Sequence, residues 1–353
     1  MTAERDSVTL LHLSDTQFGR NHRFGNLQTA DEDLKFETLY KRLELDLDGL
    51  KKNQGVKPDA VVVTGDLAEW GRKSEFEDVY SLLDSLCTYL QIPRQHVAIV
   101  PGNHDINRDA CAAYFSTCKA DQEDPKPPYW PKWRHYANLF ERFYVKPFAE
   151  AQPWSLWEMP ELRLVVAGLN STMAESHLDG SHYGQVGENQ LRWFERELAR
   201  CSRDECVVLG LVHHNVIRGA SQDDENLRDS DDLQRILGGS LDLLLHGHTH
   251  NARAERLGEL RVLSTGSAAL LAEQRPAEVP NQYQCLRLTT TGIERWTRRY
   301  DAGHKRWIGD TRCSEHGDKW ITRETASFKA FRKTTTPRPR RRRSSRSRTR
   351  AAI

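Results

Sequence analysis

The sequence has no apolar run approaching the roughly 18 residues that a membrane-spanning helix needs, and its longest hydrophobic stretches are strand-length. Its first residues, Met1 to Val8, are polar and charged, not a basic segment leading into an apolar one, so no secretory signal is expected there. The seven cysteines are odd in number and contain no C-x-x-C pair, which excludes a dense disulfide framework or a cysteine-ligated zinc knot. Reduced thiols in a cytoplasm, in a soluble chain, are the expectation. No internal repeat is evident.

Charge is unevenly spread along the chain. Residues 334–353 hold eight Arg and no Asp or Glu, leaving 43 basic against 50 acidic side chains before them, a net of −7. A basic nucleic-acid-binding domain is therefore not expected, because Lys and Arg contacts to phosphate supply most of such affinity. The tail's stretch from Pro337 to Arg350 interleaves Arg with Pro and Ser, has no apolar anchor and no aromatic for base stacking, and reads as disordered. Nonspecific attraction to nucleic acid or an anionic surface, or a targeting address, is the role its charge allows. Across all 353 residues, 38% are hydrophobic and 29% charged, enough for a sizeable core.

What is present is a recurring pattern: short Val/Leu/Ile runs that end in polar, metal-capable residues, as strands of an α/β sheet do at their carboxyl ends. Val8–Leu13 runs into Asp15, Ala60–Thr64 into Asp66, and Val97–Val100 into Asn103, His104 and Asp105. Val207–Val212 runs into His213 and His214, and Leu241–Leu245 into His246, His248 and His250. Between them, stripes at helical spacing (Phe36 to Leu50, Phe76 to Leu90) predict covering helices, with Asp31 and Ser74 as N-caps and a third helix over 188–200. Residues 261–263, 283–288 and 293–300 read as further strands.

Residues 106–160 break this rhythm. Ten of the 29 residues from Tyr129 to Trp157 are aromatic, against 8% overall. They predict a small helical subdomain with its own core, or else a lid whose rings stack on a flat substrate.

Asp15, Asp66, Asn103 and the imidazoles of 213–250 mix hard oxygens with nitrogens and no thiolate, a donor set suited to Mn2+, Fe or Zn2+. Two divalent ions sharing Asp66 would leave a residual positive charge that attracts a phosphoryl group into an acidic protein. His12 and His246, inside strands, read as core histidines; Arg20 and His22 as phosphate contacts or a solvated loop.

Asp15-Thr16-Gln17, Gly65-Asp66, Gly102-Asn103-His104-Asp105, His213 and Gly247-His248-Thr249-His250 resemble, in order and interval, the five blocks of the calcineurin-like metallophosphoesterase superfamily, over about Val8 to Tyr300. Gly184, Gly187, Gln190, Leu191 and Trp193 resemble a helix-start segment of its members. The resemblance implies an α/β fold, a four-layer sandwich with two central mixed β-sheets flanked by helices, forming one domain over 1–301, followed by a 302–333 extension of unassigned role. It implies two divalent metal ions, Mn2+ favoured: the first held by Asp15, Gln17, Asp66 and His250, the second by Asp66, Asn103, His213 and His248. It further implies that His104 stabilises the transferring phosphoryl group and protonates the leaving oxygen, with Asp105 orienting its imidazole. The first block more often reads D-x-H; Gln17 places the sequence nearer branches that include manganese-dependent ADP-ribose and CDP-alcohol pyrophosphatases. The implied activity is hydrolysis of a phosphodiester, pyrophosphate or phosphomonoester of a nucleotide-like small molecule by a hydroxide held between the ions. A nuclease and a non-catalytic binding module are the alternatives.

Overall fold

A computed structural model of the chain describes residues 5–25, 37–202, 204–217, 226–314 and 316–331. Asp31, Phe36 and the Arg-rich tail lie outside these residues.

Two mixed sheets form the centre. The first has the order β12-β11-β10-β1-β2-β3, with β13 also paired to β11; its strands are β1 (Ser7–Leu13), β2 (Ala60–Val63), β3 (Val97–Ile99), β10 (Gln282–Thr289), β11 (Gly292–Asp301), β12 (Arg306–Gly309) and β13 (Ile321–Thr325). The second has the order β4-β5-β6-β7-β9-β8, from β4 (Ser155–Met159), β5 (Leu164–Gly168), β6 (Val207–Leu211), β7 (Leu243–His246), β8 (Ala254–Leu257) and β9 (Leu260–Ser264). β1, β2 and β3 run parallel, as do β5, β6, β7 and β9.

Alternation along the second sheet shows the layering. Val166, Leu209, Leu211, Leu243 and Leu245 join the large core shared with the first sheet. Val165, Ala167, Val208, Leu244 and Val262 point the other way and pack on α5 (Glu188–Leu198) and α6 (Ser230–Leu237). A side-chain period of two demands this split when both faces are covered.

On the first sheet, α1 (Leu39–Gln54) buries Leu39, Leu43, Leu47 and Leu50. Thr38 caps it, its hydroxyl accepting Lys41 N at 3.2 Å, and Gly55 ends it at φ 63°. α2 (Lys73–Leu90) buries Phe76, Val79, Leu83, Leu86 and Leu90. Its start is two residues earlier than a Ser74 cap requires, with Arg72 at the N-cap: Glu75 instead reaches back to accept the N–H groups of Trp70 and Arg72.

The aromatic segment contributes α3 (Arg108–Ala120), α4 (Arg134–Tyr144) and β4. Trp133, Tyr136, Phe140, Phe143, Phe148 and Trp157 are buried in the main core, and Tyr136 Oη donates to Ile99 O at 3.2 Å. They neither form a separate core nor present a stacking face, because α4 packs directly on α2 beside β3. The chain beyond residue 301 supplies β12 and β13, both antiparallel edge partners of β11.

Candidate metal centre and active site

Every sequence-selected site residue follows the carboxyl end of a parallel strand: Asp15 and Gln17 after β1, Asp66 after β2, Asn103 to Asp105 after β3, His213 after β6, His248 and His250 after β7. Asp15, Asp66 and His213, all buried, bring one ligand atom each within 4.8 Å of one another. Nε2 of His213 lies 2.9 Å from Asn103 Oδ1, 3.2 Å from His248 Nδ1 and 3.3 Å from Asp66 Oδ2. Four donor groups thus meet at one point. Beside it, His250 Nε2 is 3.2 Å from Asp15 Oδ1, and Gln17 Nε2 donates to Asp66 Oδ2 at 3.1 Å. Half a turn of that amide exchanges its N–H for the carbonyl oxygen a cation takes.

The backbone is strained at these positions. Asp15 (φ 51°), Gln17 (36°), Asp66 (52°), His248 (65°) and His250 (51°) all occupy the left-handed region, at about 1–3 kcal/mol each. Cross-loop bonds hold them there: Asp15 N to Gly65 O (3.0 Å), Gln17 N to Asp66 O (2.9 Å) and Ser267 Oγ to Asp15 O (2.9 Å). Two motif glycines permit the approach. A Cβ at Gly102 would stand 2.2 Å from Asp66 Oδ1, and one at Gly247 1.8 Å from Ser14 Oγ and 2.8 Å from Asp15 Oδ2.

The electrostatics suit cations. Burial opposes charge on His213, but Asp66 overrides it and pushes the imidazole up to about 10; against burial, Asp15 likewise raises His250. Asp66 and Asp15 are held below the ordinary carboxylate range by these imidazoles, again in spite of burial. Burial, with His214 and His213 nearby, keeps His248 neutral. Asp15 Oδ1 is buried without a hydrogen bond. Two buried carboxylates, two amides and three imidazoles make a hard mixed donor set that fits two divalent cations.

His104 is placed differently. Its backbone N–H donates to Asp66 Oδ1 (2.8 Å) and its Nδ1 lies 2.9 Å from Glu69 O. A carbonyl only accepts, so Nδ1 carries the proton in this bond. Asp105 does not orient this ring: its carboxylate accepts Leu67 N (3.1 Å), Ala68 N (2.8 Å) and Gly102 N (2.8 Å). It ties the loop after β2 to the loop after β3, because three converging amides outbid one imidazole. Glu69, which no motif marks, is the residue that orients His104.

His12 is fully buried between Thr64 Oγ1 (2.9 Å) and Gln284 Nε2 (2.7 Å). His22 stacks on Phe18 and holds Thr16 O at 2.7 Å. His214 packs beside His248, ring centroids 4.8 Å apart, with Nδ1 at 2.7 Å from Ser171 Oγ and Nε2 at 3.2 Å from the buried Glu175 carboxylate.

Among relatives, a cAMP/cGMP dual specificity phosphodiesterase of Mycobacterium tuberculosis is 25% identical over 250 residues, 70% of this chain and 63% of its own length. A glycerophosphodiester phosphodiesterase of Enterobacter lignolyticus is 32% identical over 211 residues, 59% of this chain and 56% of its own. The chain thus spans less than two thirds of either relative. A dimetal phosphatase from Danio rerio shares the fold at 13% identity, with a TM-score of 0.50 over 91% of this chain and 99% of that one. The sequence profile of the calcineurin-like phosphoesterases matches residues 8–252, more than half of the chain, and this chain belongs to that family.

Proposed function

We propose that the protein is a metal-dependent phosphodiesterase of small, nucleotide-like substrates. The observation that carries the reading is that Asp15, Asp66 and His213 bring ligand atoms within 4.8 Å of one another, with Gln17, Asn103, His248 and His250 each within 3.3 Å of one of them, from five strand ends over more than 230 residues. Asp15, Gln17, Asp66 and His250 would hold one cation, and Asp66, Asn103, His213 and His248 the other. When bound, two divalent ions lower the pKa of the attacking water and neutralise charge on the phosphoryl oxygens. The chain's own groups do the rest: His104 Nε2 donates its proton to the departing oxygen once the imidazole is charged, while Glu69 O fixes the ring. The phosphodiesters named for the mycobacterial and Enterobacter relatives support this bond type. Hard oxygens and imidazoles support Mn2+ as the ion, and seven unpaired cysteines support a reducing, cytoplasmic setting. No helix among the described residues is long and apolar enough to cross a membrane.

The test is metal analysis together with Mn2+-dependent turnover of cyclic AMP, glycerophosphoethanolamine, a dinucleotide pyrophosphate, a phosphomonoester and single-stranded DNA. Two metal equivalents and preferred diester hydrolysis are expected. Asp66→Asn is expected to lose metal and lower turnover by about 10³-fold, beyond the loss from one electrostatic donor; unchanged metal content and rate in that variant would refute the site.

A further inference from the structure

The loop Leu67–Gly71 is fixed at nearly every residue. Leu67 and Ala68 are held by Asp105; Leu67 O accepts Phe18 N (2.9 Å), and Glu69 N donates to Phe18 O (3.0 Å). Glu69 O takes His104 Nδ1, and the Glu69 carboxylate takes Asn21 N (2.9 Å) and Asn21 Nδ2 (2.7 Å). Trp70 N donates to Glu75 Oε2 at 3.0 Å. Gly71, at φ 62°, lies so close to Ile106 and Asn107 that a Cβ would stand 2.7 Å from their backbone. Yet this rigid loop turns the Trp70 indole outward, 52% exposed, with the Arg72 guanidinium 5.8 Å from its ring centroid. Of the four exposed large hydrophobics among the described residues, Trp70 is the aromatic one. The other three are Leu45, on the outer side of α1, Val145, just past α4, and Leu178 in a surface loop.

We infer that Trp70 is a specificity-determining residue: a stacking platform for a flat, base-like group on the leaving alcohol, with Arg72 beside it. One peptide bond separates Trp70 from the carbonyl that orients His104, so the loop that carries the indole borders the group placed to protonate that alcohol. This rests on the diesterase reading above. In the aromatic segment at 129–157, Trp133, Tyr136, Phe140, Phe143, Phe148 and Trp157 lie in the core, and none of its rings is as exposed as Trp70. An indole on a preformed loop loses little freedom on binding, and it accepts any base because every base offers a π face.

Full-length, Mn2+-loaded Trp70→Ala and Trp70→Phe are to be compared with the wild type on cyclic AMP and on glycerophosphoethanolamine, whose leaving group has no ring. Trp70→Ala is expected to lower kcat/KM for cyclic AMP by about 5- to 100-fold, mainly through KM, with Trp70→Phe retaining most activity and glycerophosphoethanolamine changing less than about twofold. Equal loss on both substrates, or none on either, overturns the inference. A second readout needs no turnover: saturable quenching of tryptophan fluorescence by AMP, expected in the wild type and absent in Trp70→Phe. Quenching that survives in Trp70→Phe, or is missing in the wild type, also overturns it. If neither substrate is hydrolysed, the diesterase reading fails while the quenching still decides the role of Trp70.

Discussion

The two sheets bring different chemistry to their meeting point. Loops of the first sheet deliver oxygens, from Asp15, Gln17, Asp66 and Asn103, and loops of the second deliver nitrogens, from His213, His248 and His250. Asp66 and Asp15 of one half raise His213 and His250 opposite, and those imidazoles in turn hold the two carboxylates low. Neither half has a balanced charge or a complete donor set alone. The difference teaches that this site is a property of the sheet–sheet junction, so relative placement of the sheets is as much a part of it as the seven side chains.

Gly247 is where that junction is tightest, and altering it should break the pairing most severely. A methyl group there meets Ser14 Oγ and Asp15 Oδ2 well inside contact distance, and Asp15 is locked by its bonds to Gly65 and Ser267. Gly247→Ala is therefore expected to push the second sheet's loop outward. Metal affinity should fall by about 100-fold, as when a ligand loses its supporting contacts, and stability by about 1–3 kcal/mol, as in other overpacked sites. Calorimetric metal titration and denaturant unfolding measure the two. Native affinity in this variant would mean that the halves can adjust independently.

Gln17 offers a milder manipulation, since it is the one amide where the related blocks more often carry imidazole. At φ 36° the position suits His better than most side chains. Gln17→His moves a nitrogen donor into the oxygen half, and tighter binding of one ion, by about tenfold, is expected in a chelator competition. Binding that stays the same or weakens would show that Gln17 acts through its 3.1 Å bond to Asp66 and not as a ligand.

Much of this arrangement was legible in the sequence because strand ends and metal-capable residues coincide: the parallel strands before Asp15, Asp66, Asn103, His213 and His248 are all short apolar runs. β5, a buried apolar run with no site residue at its end, was passed over, as were β4, β8, β12 and β13, since edge strands such as Ala254–Leu257 are half-exposed and mix charged with apolar residues. Composition also misplaced the aromatic surface. A cluster of rings signals burial as readily as binding, and here α4 turned its rings into the core while a single Trp on the Asp66 loop stayed outside. Asp105 was misjudged for a related reason: adjacency in a motif says nothing of which backbone amides a carboxylate will find. Five left-handed non-glycine positions leave a faint trace at most, in the Asp and His enrichment that this region of φ tolerates.

The smallest expected effect separates two histidines of opposite character, one from each half. His12 in β1 is kept neutral by burial, with Arg295 and His246 adding to the depression, whereas Asp66 holds His213 charged up to about 10. Below the unfolded value of about 6.5, the unfolded chain takes up a proton that folded His12 refuses, so its contribution is present above pH 6.5 and lost on acidification. His213 behaves inversely in metal-free protein: its contribution is complete below pH 6.5 and disappears as pH rises towards 10. Each proton is worth up to about 1.4 kcal/mol per pH unit. His12→Gln, which can keep bonds to Thr64 and Gln284, should therefore flatten the loss of stability between pH 6 and 5 by up to that amount while leaving the alkaline limb unchanged. Urea unfolding of the metal-free protein across pH 5 to 9 tests this; a parallel shift of the whole profile would mean that His12 matters by packing and not by its refusal of a proton.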